Sequence, residues 1–360
     1  MGAYRLKLSS LVVSVLAWIA ALGLYLLVRF YGTKDTMDWA TSPTALVWLG
    51  LAVGTIFGVL FWLILLLADS KLLRQRSYGF LIAFKSVGLF LAACVIVLVS
   101  RVAAYLQGSI PADQIVPSFF ARFSNGAVIA FFTYVIAVAI AFSLIRQMTM
   151  MVGSRVLLNL LLGKYHSPKE EERIFMFLDM KGSTTHAERL GPLTYCRLVQ
   201  DCFNNLTDSA LAHEVEIYQY AGDEAILTWR VPNGLRNANC VAVFFQFDAA
   251  LQAKADYYRG RYGIVPEFKA GVNLGPVTAA EIGVLKRDIA YFSDVLNTAA
   301  RIQAKCNEFN RRLLISGELR KMLGEQPALP AMERIGELAL KGKEILVEVY
   351  AVGARERPTQ

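Results

Sequence analysis

The sequence predicts an α-helical, multi-pass membrane unit followed by a cytosolic domain that mixes helices and strands. Three observations predict it. Four apolar blocks, each long enough to cross a bilayer, occupy residues 1–145. From residue 146 onward, charged residues reach the density of an ordinary globular domain, over a stretch long enough for a core of its own. Within that stretch, short runs of strand formers alternate with helical patterns. The 360 residues are 55% hydrophobic, with a mean hydropathy of +0.43, too apolar for a wholly soluble enzyme.

The apolar blocks run from about Leu8–Phe30, Thr44–Ala68, Phe80–Leu106 and Phe119–Ile145. At 1.5 Å rise per residue, each can cross a hydrocarbon core of about 30 Å. The first is longer than the apolar region of a signal peptide, so it is expected as a retained anchor. Position six is Leu6, not Ser or Thr, so myristoylation is not signalled. Arg5, Lys7, Lys71, Arg74, Arg76, Arg146 and Arg155 flank one side of the blocks. The positive-inside rule then places both termini and the second domain in the cytoplasm, at the plasma (inner) membrane. Lys85 and Arg101 lie near helix ends and are expected to snorkel. Gly50, Gly54 and Gly58 recur every four residues, which suits close helix packing within the chain or between two copies. His166, His186 and His213 all lie outside the apolar blocks, which argues against a haem held in the membrane. Any signal received here is expected to be a small lipophilic ligand bound among the helices.

From Arg146 to His166 the pattern stays helical, and Pro168 with the following charges breaks it. Residues 146–168 are therefore expected as a helical linker packing on its twin in a dimer, and 353–360 as a tail. The net charge of +8 sits largely beside the apolar blocks, so it reads as a topology signal and not as a nucleic-acid surface. Cys94, Cys196, Cys202, Cys240 and Cys306 form no C-x-x-C pair, as expected of reduced thiols.

Three segments in residues 169–352 carry chemistry. Ile174 to Leu178 reads as a buried strand that ends in Asp179, followed by Gly182, Ser183 and Thr184 and then a helix. A carboxylate beside a glycine turn and a helix N-terminus suits a metal and a phosphate. Glu216–Tyr220 and Ala225–Trp229 read as a hairpin with Gly222 and Asp223 at its tip. That hairpin, beside the first strand, would bring Asp223 near Asp179, and two such carboxylates can hold two cations. Asn297 and Arg301 share a helix face, where an amide and a guanidinium suit a ribose and a phosphate.

Together with Gly271-Val272-Asn273-Leu274-Gly275-Pro276-Val277 and Leu340-Lys341-Gly342, these segments resemble the class III adenylate/guanylate cyclase catalytic domain over about residues 170–352. The resemblance implies an α+β, ferredoxin-like (palm-type) domain with an antiparallel sheet. It implies two Mg2+ or Mn2+ ions per site, with Asp179, Met180 and Asp223 as the metal positions. Gly182, Ser183, Thr184 and Lys341 would bind phosphates, Asn297 would orient the ribose and Arg301 would stabilise the transferring phosphoryl group. It also implies a homodimer, with the aspartates from one chain and Asn297 and Arg301 from the other. Adenine-selecting members carry Lys where this chain has Gln219, and Asp where it has Ala290. The guanine pattern, Glu and Cys, is absent as well. Gln219 keeps a donor, which favours ATP. A guanylate cyclase, or a weak nucleotide-binding regulator, is the alternative. A diguanylate cyclase shares the hairpin with Gly222-Asp223-Glu224 but has no place for Asn297, Arg301 or Lys341.

Overall fold

The computed structural model describes residues 2–30, 43–70, 73, 76–326, 329–339 and 346–353, and divides after Val152 into two compact units. The first unit contains α1 (Gly2–Phe30), α2 (Pro43–Ala68), α3 (Tyr78–Leu106), α4 (Ile115–Phe123) and α5 (Gly126–Val152). Among the described residues, α1, α2, α3 and α5 are long and apolar enough to cross a membrane. The fourth stretch, expected as one helix over Phe119–Ile145, is divided. Asn125 Oδ1 accepts from Ala127 N at 2.9 Å, and this cap starts α5 afresh after the short α4.

The glycine stripe is used inside the chain. A Cβ on Gly54 would lie 2.6 Å from Ile19 Cα, and one on Gly58 2.5 Å from Val15 Cα, so α2 touches α1 backbone to backbone. Ser14 Oγ donates to Gly58 O at 2.9 Å across the same seam. Trp18 fills the centre against Phe57, Phe61 and Phe142. Lys85 corrects an expectation. It is buried within the helices, beside the Asp69–Arg146 ion pair of 2.5 Å, and does not snorkel outward.

The expected linker helix is also interrupted. α5 continues to Val152, Gly153 turns the chain at φ 94°, and α6 (Ser154–Leu161) follows. Val156, Leu160 and the buried Tyr165 pack on Ala279, Ile289 and Tyr291 of the same chain. Leu158, Leu161 and Leu162 stay exposed and remain free for a twin.

The second unit continues as β1 (Lys169–Met180), α7 (Ser183–Leu190), α8 (Pro192–Ala212), β2 (Glu216–Ala221), β3 (Glu224–Arg230), α9 (Val231–Leu235), α10 (Asn239–Gln252) and α11 (Ala255–Tyr262). It closes with β4 (Phe268–Ile282), β5 (Asp288–Phe292), α12 (Asp294–Ala304), β6 (Leu313–Ser316), α13 (Gly317–Leu323), β7 (Met332–Leu338) and β8 (Val347–Val352). The sheet order is β2-β3-β1-β4-β6-β8-β7, with β5 also on β4. It is mixed and not wholly antiparallel, because α12 carries the chain over the sheet and β6 returns parallel to β4. Alternation along β1 separates two cores. Ile174, Met176, Leu178 and Met180 face the cluster that includes α8 and α10, while Phe175 and Phe177 face Val295 and Ala299 of α12. Asp179 falls in the second set, on the α12 side.

Candidate active site

Asp179 pairs in register with Glu224 of β3 on one side and Lys269 of β4 on the other. The tight turn between β2 and β3 holds Gly222, at φ 64°, and Asp223. Three carboxylates, Asp179, Asp223 and Glu224, therefore gather where β1 ends. Burial and the charge of Asp223 hold Asp179 above the usual carboxylate range, against the opposing pull of Lys269. Burial and the two aspartates raise Glu224 in the same way. Lys269 Nζ lies 3.4 Å from Asp179 Oδ2, and Gln303 Nε2 donates to the same oxygen at 2.9 Å. One oxygen of Asp223 is buried without a hydrogen-bond partner.

Beside them the backbone turns at Gly182, φ 69°, and α7 begins at Ser183. This presents the first amides of α7 next to the aspartates, with Ser183 half-buried and Thr184 exposed. The Met180 side chain lies in the α8–α10 core, so only its backbone carbonyl is available at the site. Tyr195 of α8 was not picked out from the sequence. Its hydroxyl is buried beside Asp223 and Ser183, and burial with the charge of Asp223 pushes it up to about 12.

No group of three or more His, Cys, Asp or Glu among the described residues is arranged to hold a metal alone. Two aspartates with an orphaned, buried carboxylate oxygen do fit a hard cation that takes its remaining ligands from phosphates and water. Asp179 and Asp223 thus suit Mg2+ or Mn2+.

Asn297 and Arg301 lie elsewhere. Asn297 is exposed and Arg301 half-buried on α12, one turn apart. Gln303, the α12 residue that reaches Asp179, is six positions beyond Asn297, about 9 Å along the axis and on a different face. A single chain brings Asp179, Asp223, Ser183 and Tyr195 together but turns Asn297 away from them. One Arg301 guanidinium nitrogen is buried without a hydrogen bond, 4.0 Å from Asp294 Oδ1. Gln219 is exposed on β2 and Ala290 half-buried on β5, and their neighbours Tyr218 and Tyr291 meet edge-on at 5.3 Å. Lys341 lies outside the described residues.

Under this aromatic pair is a buried cation. Arg173, 1% exposed, bonds Glu171 and Glu216 at 2.9 Å each, and its guanidinium carbon lies 4.7 Å from the centre of the Tyr291 ring. Glu171 also accepts from the hydroxyl of Tyr165, tying the segment after α6 to β1. Sequence reading passed over Arg173 and Gln303. A polar residue on the apolar stripe of α12, formed by Val295, Ala299 and Ile302, was the available signal for Gln303.

A carboxylate pair at a strand end, an adjacent helix N-terminus and a separate amide–guanidinium face, all on a palm-like sheet, are the groups that metal-assisted phosphoryl chemistry would call on. The adenylate and guanylate cyclase catalytic domain family matches residues 166–353, and the chain belongs to that family. It is 36% identical over 204 residues to "Adenylate cyclase 2" of Rhizobium meliloti (strain 1021), covering 57% of this chain and 56% of that relative. It is 23% identical over 220 residues to the receptor-type guanylate cyclase gcy-14 of Caenorhabditis elegans, covering 59% of this chain and 19% of the relative. The chain thus spans about half of the first relative and a smaller share of the second. A bacterial light-regulated adenylyl cyclase has a similar fold, with TM-score 0.52, 19% identity and coverage of 61% and 63% of the two chains.

Proposed function

We propose that the chain is a membrane-anchored adenylate cyclase that converts ATP to 3′,5′-cyclic AMP and pyrophosphate at sites shared by two copies. The observation that carries this reading is the division of the site. Asp179 and Asp223 converge at one sheet end, while Asn297 and Arg301 stand on another face of the same chain. A head-to-tail homodimer would complete two equivalent sites.

Asp179, Asp223 and the Met180 carbonyl would hold divalent cations, Mg2+ or Mn2+, two per site by the family pattern. Bound there, such ions neutralise the triphosphate and ease deprotonation of the ribose 3′-hydroxyl. The α7 amides with Ser183 and Thr184 cradle phosphate oxygens, and Lys341 takes the terminal ones. Asn297 fixes the ribose so that its 3′-oxygen lies in line with the α-phosphorus. The 3′-oxygen forms the new bond to phosphorus, pyrophosphate leaves with the electron pair, and the hydroxyl proton passes to solvent. Arg301 stabilises charge on the phosphoryl oxygens, its unpaired nitrogen being a ready donor. Gln219 supplies an amide for the base, and its donor, with the similarity to an adenylate cyclase, favours ATP. Because the same amide also accepts, GTP is the competing substrate. Residues 2–152 would anchor and pair the chains, and the flanking basic residues support a catalytic domain on the cytoplasmic side.

The test uses full-length protein with ATP or GTP and Mg2+ or Mn2+, and identifies the cyclic product. Cyclic AMP from ATP is expected. Asp223→Ala and Arg301→Ala should each be inactive alone and regain activity when co-expressed, because a mixed dimer keeps one whole site. Failure of this rescue, with both variants folded and paired, would refute the shared site. Cyclic GMP as the main product would transfer the assignment to guanylate cyclase.

A further inference from the structure

Gln219 on β2 and Ala290 on β5 stand on strands that no ladder joins. Among the described residues, β2 pairs with β3 and β5 with β4, and β1 runs between the two pairs. The sheet therefore sets the gap between positions 219 and 290 only through β3, β1 and β4. Side chains bridge it directly. Tyr218, the neighbour of Gln219, meets Tyr291, the neighbour of Ala290, with ring centres 5.3 Å apart. Both rings also meet Phe175 of β1, at 6.3 Å and 5.4 Å.

One buried cation holds this aromatic trio. Arg173 Nε donates to Glu171 of β1 and Nη1 to Glu216 of β2, each at 2.9 Å. Nη1 also reaches Thr228 Oγ1 of β3 at 3.5 Å, and the flat guanidinium carries the Tyr291 ring of β5 on its face. A single side chain thus gathers β2, β3 and β5 onto β1. A planar fork can grip two carboxylates and still offer a face to a ring, whereas an ammonium is a point charge. Arg173 precedes Asp179 by six residues on β1, about 20 Å at the rise of a strand, so it stands well away from the metal carboxylates. We propose that Arg173 is a positioning residue for the nucleobase. Through Tyr291 and Tyr218 it fixes the separation of β2 and β5, and with it the width of the pocket between Gln219 and Ala290. The choice of those two positions as base-facing rests on the proposed cyclase reading.

The experiment measures equilibrium affinities of the full chain in nanodiscs, with Mg2+, for 3′-deoxy-ATP, 3′-deoxy-GTP and inorganic tripolyphosphate. The deoxy nucleotides lack the attacking hydroxyl and report base recognition without turnover. Tripolyphosphate reports the phosphate and metal groups alone. Arg173→Lys keeps the charge but loses the fork. It should weaken the better-bound nucleotide about tenfold, the size of one lost pocket contact, and leave tripolyphosphate within about twofold. Tyr291→Leu leaves the ion pairs of Arg173 whole and should show the same split, which keeps the test decisive if Arg173→Lys fails to fold. Tyr291→Phe keeps the ring face and should match wild type. Equal weakening of nucleotide and tripolyphosphate would reduce Arg173 to a structural role and overturn the proposal. Unchanged nucleotide affinity in folded Arg173→Lys, or in Tyr291→Leu, would overturn it as well. Wild type that binds the nucleotides but forms no cyclic product from ATP or GTP would refute the cyclase reading, and the same affinity comparison would still decide the role of Arg173.

Discussion

Gly271 sets how closely α12 lies on β4, and adding one methyl there tests whether that spacing matters. A Cβ at Gly271 would fall 2.2 Å from Gln303 N, 2.5 Å from Ala299 O and 2.6 Å from Gln303 Cα. These are backbone atoms, so no side chain can rotate out of the way. Contact at a normal separation of about 3.5 Å requires α12 to retreat by roughly 1 Å. The Gln303–Asp179 bond of 2.9 Å would then open, and Asn297 and Arg301 would shift with the helix. Overpacking of this kind costs about 1–3 kcal/mol in stability. A misplacement of about 1 Å at a positioning group costs about 100-fold in rate. Gly271→Ala should therefore lose about two orders of magnitude in kcat while still folding. Initial rates at saturating nucleotide, taken well below the measured melting temperature, read the effect. Gly275→Ala in the same strand is the control. Its Cβ would meet only the Val295 Cγ2 methyl, at 2.8 Å, and its rate should stay within a few-fold of wild type. Wild-type rates in Gly271→Ala would show that the α12 spacing has no part in catalysis.

Asp179 holds its proton more tightly folded than unfolded, so metal-free stability falls as pH rises from the ordinary carboxylate range through its raised folded value. Asp179→Asn should lack activity, yet its melting temperature should gain on wild type as pH rises across that window. A difference that does not vary with pH would contradict the assignment. Tyr195→Phe removes the hydroxyl beside Asp223 and should raise the metal concentration needed for half-maximal rate by about 10-fold or more, with little change in melting temperature. Identical Mg2+ and Mn2+ titration curves would exclude Tyr195 from positioning the carboxylates. Arg173→Met leaves Glu171 and Glu216 facing each other without their buried partner and should cost about 3–5 kcal/mol by denaturant unfolding. A loss below about 1 kcal/mol would mean the carboxylates find water instead.

The parts of the site legible in the sequence are those made by local rules. Asp179 follows an apolar strand and precedes a glycine turn, and Asp223 sits at a hairpin tip, so each could be placed from its neighbours. Asn297 and Arg301 followed from helical spacing. What escaped depends on long-range packing. Gln303 meets Asp179 across 124 positions, and only the register of β1, β4 and α12 brings them together. Arg173 looks like one more charge in a charged run until β2 and β5 close over it. In the first unit, periodicity marked Gly54 and Gly58 as contact residues but left the partner helix open; the packing selects α1. Lys85 was misplaced because its nearness to a helix end said nothing of Asp69 and Arg146. The antiparallel sheet failed at β6, since the crossover by α12 is a property of topology and not of any single strand.

The separation of Asp179 and Asp223 from Asn297 and Arg301 has a consequence for dosage, given the proposed pairing. In an equal mixture with wild type, a chain defective only at Asp223 still lends its Arg301 to a neighbour, so about half of all sites survive. A chain defective at both Asp223 and Arg301 spoils both sites of every mixed pair, and only about a quarter survive. Activity then declines linearly with the first kind of allele and as the square with the second. A lesion in one half behaves as a simple loss, whereas the same lesion joined to one in the other half becomes a poison.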